Sequence, residues 1–319
     1  MLFLTEREVK QLLPMQKAIE LVRRSFERLA DGTVQNLPRR RMQLRSGAVF
    51  HQMAGADHDY FGTKYYVTHP KQGSHFLFTL FRASDGLPVA TMEANELGQI
   101  RTGAASGVAT DLLARENASR VGLIGSGFQA KSQLHAVCSV RRIRQVRVFS
   151  RRAESRKRFV DDFREFEVGS IESADTAEQA VEGADIVITA TYSQEPVVAD
   201  AAIASGTHIN AMGSNAPNRR ELAADTVRRA DLIALDNREQ AELEAGDLLL
   251  AYGGTRWPTA QFCELADLLS GKRTGRRNAR DLTIFKSVGL GTEDVAVGAW
   301  VYERAVSTGI GSRLETTGI

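Results

Sequence analysis

Cysteine is scarce in this chain, and several other absences narrow the field with it. Only two cysteines occur in 319 residues, Cys138 and Cys263, far apart and in helix-like contexts. They argue against a disulfide framework and for a reducing compartment. No C-x-x-C pair or clustered Cys/His pattern is present, so no metal centre is expected. Charge of one sign is also lacking. A formal net charge of +2 gives no bulk pull toward nucleic acid or a membrane surface. No apolar run approaches membrane-spanning length. The opening M-L-F-L-T-E-R-E-V-K meets charge by the sixth residue, unlike a secretory leader. A soluble, cytoplasmic chain is therefore expected. No internal repeat or low-complexity tract stands out.

What is present divides into two patterns, and the length suits two domains. A short strand over 2–4 precedes a T-x-x-E capping box at Thr5 and Glu8, which starts a helix running to Leu13. A second helix begins near Pro14. Its Ile19, Val22, Phe26 and Leu29 recur at helical spacing, and Gly32 ends it. From Pro38 to Met92 the pattern is β-rich, with strands over 49–53, 60–67, 75–82 and 87–92. The last two flank the turn pair Asp85-Gly86. A helix of small residues follows over 96–114. Beyond Arg120, strands over 120–124, 145–149, 185–190, 207–212, 231–235 and 283–288 alternate with helices, which is the doubly wound signature. A final helix over 292–307 is expected to pack back on the first domain.

The glycine-rich turn is the most specific local signal. In R-V-G-L-I-G-S-G-F-Q-A, Gly125, Gly127 and Ala130 fill the G-x-G-x-x-A frame between a strand and a helix. Gly125 permits the tight turn and Gly127 lets a pyrophosphate approach the backbone. The helix N-terminus then faces the phosphates. Ser126, Phe128 and Gln129 complete this cofactor-binding turn. The second strand ends in Ser150-Arg151-Arg152, where a site for NAD would carry Asp or Glu for the ribose hydroxyls. A basic end favours a 2′-phosphate, hence NADP(H) rather than NAD(H). Ligands of open α/β sheets lie beyond the carboxyl ends of the strands. Thr191, Ser193 and the segment from Met212 through Gly213 and Ser214 are therefore expected to face the cofactor.

Three cations precede this domain: Arg40 in P-R-R-R, Lys64 in F-G-T-K-Y-Y and Arg101 in Q-I-R-T-G-A-A-S. Lys64 sits among aromatic and apolar neighbours, where an ammonium is costly unless paired or facing a ligand. Converging cations suit a carboxylate, and arginine offers it a bidentate fork. The bland alternatives stay open: a solvated loop at 39–41, Lys64 snorkelling from a sheet edge, and Arg101 paired with Glu93 or Glu96.

These segments, together with E-G-A-D-I-V-I-T-A-T, H-I-N-A-M-G-S, E-L-E-A-G-D and F-K-S-V-G-L-G-T-E-D, resemble the ornithine cyclodeaminase and mu-crystallin family over essentially the whole chain. The resemblance implies an α/β chain with a Rossmann doubly wound domain inserted in an α+β substrate-binding and dimerisation domain. The divisions would fall at residues 1–115 plus 292–319 and 116–291. It implies a nicotinamide cofactor, an amino-acid or imino-acid substrate and a homodimer. Arg40, Lys64 and Arg101 fall where family members hold the substrate carboxylate. Thr79, Thr102 and Ser287 fall near the nicotinamide.

Two departures bear on the reaction. The family's cyclodeaminases carry two carboxylates around the substrate amine, and this chain has His51 and Asn215 at those places. Cyclodeamination moves protons at several stages, and Asn cannot take or give one in the working range. His51 has an unperturbed pKa near neutrality and is a candidate to supply the single proton that imine reduction needs. The expectation is an NADPH-dependent reductase of cyclic ketimines, such as pyrroline- or piperideine-2-carboxylate. The alternatives are an NAD-linked ornithine cyclodeaminase or amino-acid dehydrogenase, and a non-catalytic NADPH-dependent ligand-binding protein.

Overall fold

Hydrophobic alternation and tight turns build the first sheet. The computed structural model describes residues 1–163, 168–253 and 255–315. The described chain divides into two compact units, Met1–Arg101 with Gly289–Ile319, and Thr102–Val288. The divisions therefore fall at 101 and 288, whereas the sequence pattern puts them at 115 and 291. The first lies inside one continuous helix, Asn95–Leu113, which gives the sequence no break to mark it.

The first unit holds a seven-stranded sheet in the order Ser312–Arg313, Leu2–Leu4, Pro88–Glu93, Gly73–Arg82, Tyr60–His69, Val49–Ala56, Gln35–Gln43. Leu2–Leu4 runs parallel to Pro88–Glu93 and the other pairings are antiparallel. The expected turn at Asp85-Gly86 is present, with Gly86 at φ +72°. Register puts Met53, Lys64, Phe78 and Met92 side by side across four strands, all buried. Cross-strand partners share a face of the pleat, so this row defines the inner face. Helices Met15–Ala30 and Gly291–Thr308 pack in this unit, the latter against the strands Val49–Ala56 and Tyr60–His69. The next row, Ala54, Thr63, Thr79 and Thr91, faces the other way and is only half buried. Phe50, Phe61, Tyr65, Leu77 and Phe81 share that outer face.

Two glycines bring the last helix onto the sheet. A Cβ on Gly55 would run into the backbone of Gly291 and Thr292, and one on Gly291 into Ala54. Only hydrogen at both positions allows this approach. Asn36 Oδ1 then accepts from Gly291 N at 2.9 Å, capping the helix start. This contact carries Glu293 and Asp294 into the unit's interior.

The strand Gln35–Gln43, which the sequence pattern does not isolate, contains Pro38. It is an edge strand, where a missing N–H is tolerated. Its register against Val49–Ala56 slips between Leu37 and Arg40, a bulge that reverses which side chains face inward.

The second unit is an eight-stranded, wholly parallel sheet: Phe262–Glu264, Leu232–Leu235, Thr283–Lys286, His208–Ala211, Ile186–Thr189, Arg120–Ile124, Gln145–Phe149, Ser170–Ser173. Strands such as Ile186–Thr189 are buried on both faces, as a parallel sheet requires. The chain runs outward from Arg120–Ile124 through Gln145–Phe149 to Ser170–Ser173, then restarts on the other side at Ile186–Thr189. That reversal is the topological switch point of a doubly wound sheet. No helix among the described residues is long and apolar enough to cross a membrane.

Candidate active site

The first unit's interior gathers cations and carboxylates that lie far apart in sequence. Lys64 Nζ donates to Asp294 Oδ1 at 2.7 Å. Arg101 Nε donates to the same oxygen at 2.9 Å, and its Nη1 to Glu293 Oε2 at 2.7 Å. All four side chains are buried, so these pairs escape solvent screening, and removing one partner would strand a charge. Arg101 thus pairs with neither Glu93 nor Glu96. Burial, then Arg101, drives the Lys64 ammonium down to about 7, against the pull of Asp294. Burial disfavours charge on Arg101 too, but Asp294 and Glu293 outweigh it and hold that pKa above its ordinary value. The second carboxylate oxygen of Asp294 has no hydrogen-bond partner and is buried.

Of the arginines in P-R-R-R, the structure brings Arg39 rather than Arg40 to this cluster. Arg40 is exposed, whereas Arg39 is buried, with Nη2 3.3 Å from Met53 Sδ and close enough to bear on Lys64. Leu37 faces outward, so strict alternation would turn Arg40 inward; the bulge turns Arg39 in instead. Thr79 does not join the cluster either. It hydrogen-bonds Thr91 at 3.3 Å on the outer face, across the sheet from Lys64. His51 shares the inner face with Lys64. Its ring stacks on Tyr66 at 4.2 Å, and its Nε2 lies 3.1 Å from Thr68 Oγ1. Burial, with Arg41 and Arg39, drives its pKa down to about 4, so the ring is neutral near pH 7 and a poor proton donor.

In the second unit the glycine-rich turn forms as the frame requires. Gly125 has φ +109°, and a Cβ there would strike the backbone of Ala190. Gly127 has nothing within 4 Å on its open side and caps the helix Phe128–Val140. A helix N-terminus fronted by open space suits a pyrophosphate. Phe128 is exposed and Gln129 half buried beside it. Ser126 Oγ donates to Ser150 Oγ at 2.8 Å, joining the turn to the end of Gln145–Phe149. Arg156 Nη1 donates to Ser150 O at 2.6 Å, which fixes that strand end. Arg151 and Arg152 are exposed and make no ion pair among the described residues. The residues present therefore fit a dinucleotide.

The other expected cofactor residues, apart from Thr102 in the helix Asn95–Leu113, follow the carboxyl ends of neighbouring strands, but several are already engaged. Thr191 donates N–H and hydroxyl inward to Glu221 Oε1, at 2.6 and 2.8 Å. Ser193 Oγ donates to Glu195 O, and Ser214 Oγ to Arg219 O. Ser287 Oγ lies 3.3 Å from Asp236 Oδ2. Thr102 is buried, its carbonyl accepting from Gln133 Nε2 at 3.1 Å. Met212 is buried and Asn215 half buried. Sequence reasoning did not single out Glu221, Asp247, Lys286 or Asp294. Asp247, Lys286 and Asp294 have a place in E-L-E-A-G-D, F-K-S and G-T-E-D as their only signal, and Glu221 lies in none of these segments.

A parallel switch-point sheet with a glycine-rich first turn, inserted in a mixed sheet with a buried cation cluster, defines an α/β protein of Rossmann type. The family model described as ornithine cyclodeaminase/mu-crystallin matches residues 1–309. A Delta(1)-pyrroline-2-carboxylate reductase of Bacillus cereus is 37% identical over 231 residues, covering 72% of this chain and 71% of its own. Among solved structures, the Delta(1)-pyrroline-2-carboxylate reductase of Thermococcus litoralis, in complex with NADH and L-proline, superposes with a TM-score of 0.94 at 33% identity. That match covers 98% of this chain and 100% of the other. An archaeal alanine dehydrogenase dimer with bound NAD gives 0.93 at 32% identity, covering 98% of each. The chain belongs to the ornithine cyclodeaminase/mu-crystallin family. It is an oxidoreductase.

Proposed function

We propose that this protein is an NADPH-dependent reductase of imines, acting on cyclic imino acids of the pyrroline- or piperideine-2-carboxylate type. The observation that carries the reading is the buried cluster in the first unit. Lys64 and Arg101 pair with Glu293 and Asp294, and Arg39, buried and bearing on Lys64, adds a further positive charge to the cluster. A substrate carboxylate balances it, and a dry site makes that pairing strong. When bound, a reduced nicotinamide supplies the hydride for the imine carbon. The nitrogen then needs one proton. Lys64, brought to about 7, both holds and releases a proton near neutrality. Neutral His51 and the amide of Asn215 take no part in that transfer. Asp294 keeps the Lys64 and Arg101 heads in fixed relation.

In the second unit, Gly125, Ser126, Gly127, Phe128 and Gln129 receive the pyrophosphate, and Ser150, Arg151 and Arg152 receive the 2′-phosphate. Thr191, Ser193, Met212, Gly213, Ser214, Thr102 and Ser287 border the nicotinamide half. The likeness to an alanine dehydrogenase with bound NAD favours a second reading, an NAD-linked amino-acid dehydrogenase. The test is NADPH and NADH oxidation, read by absorbance, across a panel of cyclic imines, alongside ammonia release from ornithine and alanine. Turnover with a cyclic imino acid and a preference for NADPH is the expected result. Ammonia release without imine turnover would overturn the ranking.

A further inference from the structure

The second unit contains a buried ionic set that the reaction above does not use. Glu221, Asp247 and Lys286 are all fully or almost fully buried. Glu221 accepts four hydrogen bonds. Oε1 takes the N–H and hydroxyl of Thr191; Oε2 takes Thr189 Oγ1 at 2.9 Å and Gly213 N at 2.7 Å. The backbone N–H groups of Glu221 and Leu222 donate to Asp247 Oδ1 at 2.6 and 2.9 Å. Lys286 Nζ bridges Asp247 Oδ2 at 2.8 Å and Ser214 O at 2.6 Å.

These contacts join the carboxyl ends of three adjacent strands. Thr189 ends Ile186–Thr189, Gly213 and Ser214 follow His208–Ala211, and Lys286 ends Thr283–Lys286. The glycine-rich turn leaves the next strand over, Arg120–Ile124, and the basic strand end lies one further still. A dinucleotide lies across the switch point, with its pyrophosphate at the turn and its adenosine ribose at the end of the second strand. Its nicotinamide half then extends over the three strand ends that Glu221, Asp247 and Lys286 tie together.

We propose that Glu221 is a positioning residue for the nicotinamide half of the cofactor, holding the loops after Thr189 and Ala211 in the shape that receives it. The proposal rests on the nicotinamide reading above. The carboxylate chemistry is specific. Each oxygen faces one backbone N–H, Thr191 on one side and Gly213 on the other, and these donors cannot rotate away. A glutamine amide, in either orientation, would set its NH2 against one of them and leave that half-buried donor without its acceptor.

The test measures binding of NADPH and of its adenosine-half fragment, 2′,5′-ADP, by calorimetry on the full chain, with a thermal melt of each variant. For Glu221→Gln, NADPH affinity is expected to fall at least tenfold while 2′,5′-ADP affinity stays within a factor of two. Should that variant fold poorly, Thr189→Val removes one donor from a buried strand position, and the same selective loss is expected at two- to fivefold. A purely structural role would weaken both ligands alike, or lower only the folded fraction. Either result, or unchanged NADPH affinity, overturns the proposal. Folded wild-type protein that binds 2′,5′-ADP but no nicotinamide dinucleotide would instead overturn the cofactor reading, and this proposal with it.

Discussion

Lys64 Nζ lies 2.7 Å from Asp294 Oδ1, in a row of the sheet that the last long helix overlies. That one oxygen also takes Arg101 Nε, so a single carboxylate sets the spacing of two cationic heads. Replacing Lys64 by Ala is expected to cut imine turnover roughly hundredfold or more, the range for loss of an acid/base group. NADPH binding is expected to persist. Stopped-flow reduction and a cofactor titration check the two halves separately.

The same pair sets a pH dependence. Lys64 is pushed down to about 7 by burial and Arg101, while Asp294 pulls it up. Turnover that needs the protonated ammonium should fall as pH rises through about 7. Asp294→Asn removes the upward pull, so the falling limb should move to lower pH. Stability follows the opposite sign. Between about 7 and the ordinary lysine value the unfolded chain binds the extra proton, so this group makes folding more favourable as pH rises. A Lys64→Met variant should lose that slope in denaturant titrations at several pH values.

His51→Gln should leave turnover within about threefold between pH 6 and 8, because a ring neutral at those pH values has no proton to give. A rate profile that lost a limb near neutrality in this variant would restore His51 to the mechanism.

Arg152→Ala should lower kcat/KM for NADPH by roughly 10- to 100-fold while sparing NADH, matching about 1.5–3 kcal/mol for a charge-assisted hydrogen bond. The ratio of the two cofactors in steady-state assays is the readout.

The outer sheet face carries Phe61 stacked on Phe81 at 5.0 Å, only half buried. Such an apolar face favours a second copy of the chain. Sedimentation should give a homodimer, and Phe61→Glu should shift it toward monomer.

Much of the architecture was legible because periodicity and glycine spacing are local. The capping box at Thr5, the turn at Asp85-Gly86 and the strand–turn–helix at Gly125 all depend on neighbours in sequence. The site was less so. A bulge beside Pro38 exchanges Arg39 for Arg40. Register alone places Thr79 on the face away from Lys64. The partners of Lys64 and Arg101 come from Glu293 and Asp294, delivered by the contact of Gly55 with Gly291. Nothing near Lys64 or Arg101 in sequence encodes that delivery.

Gly289, at φ +82°, leaves no room for a side chain because the Arg101 guanidinium lies against it. These two residues are the last before the chain leaves the first unit and the first after it returns. Along the chain, the second unit is therefore an insertion whose two ends meet at this pair of residues. Loop-closure entropy rises only with the logarithm of length, about 0.6 kcal/mol for each doubling. Bringing Arg101 and Gly289 together thus costs the first unit little more for a long insertion than for a short one.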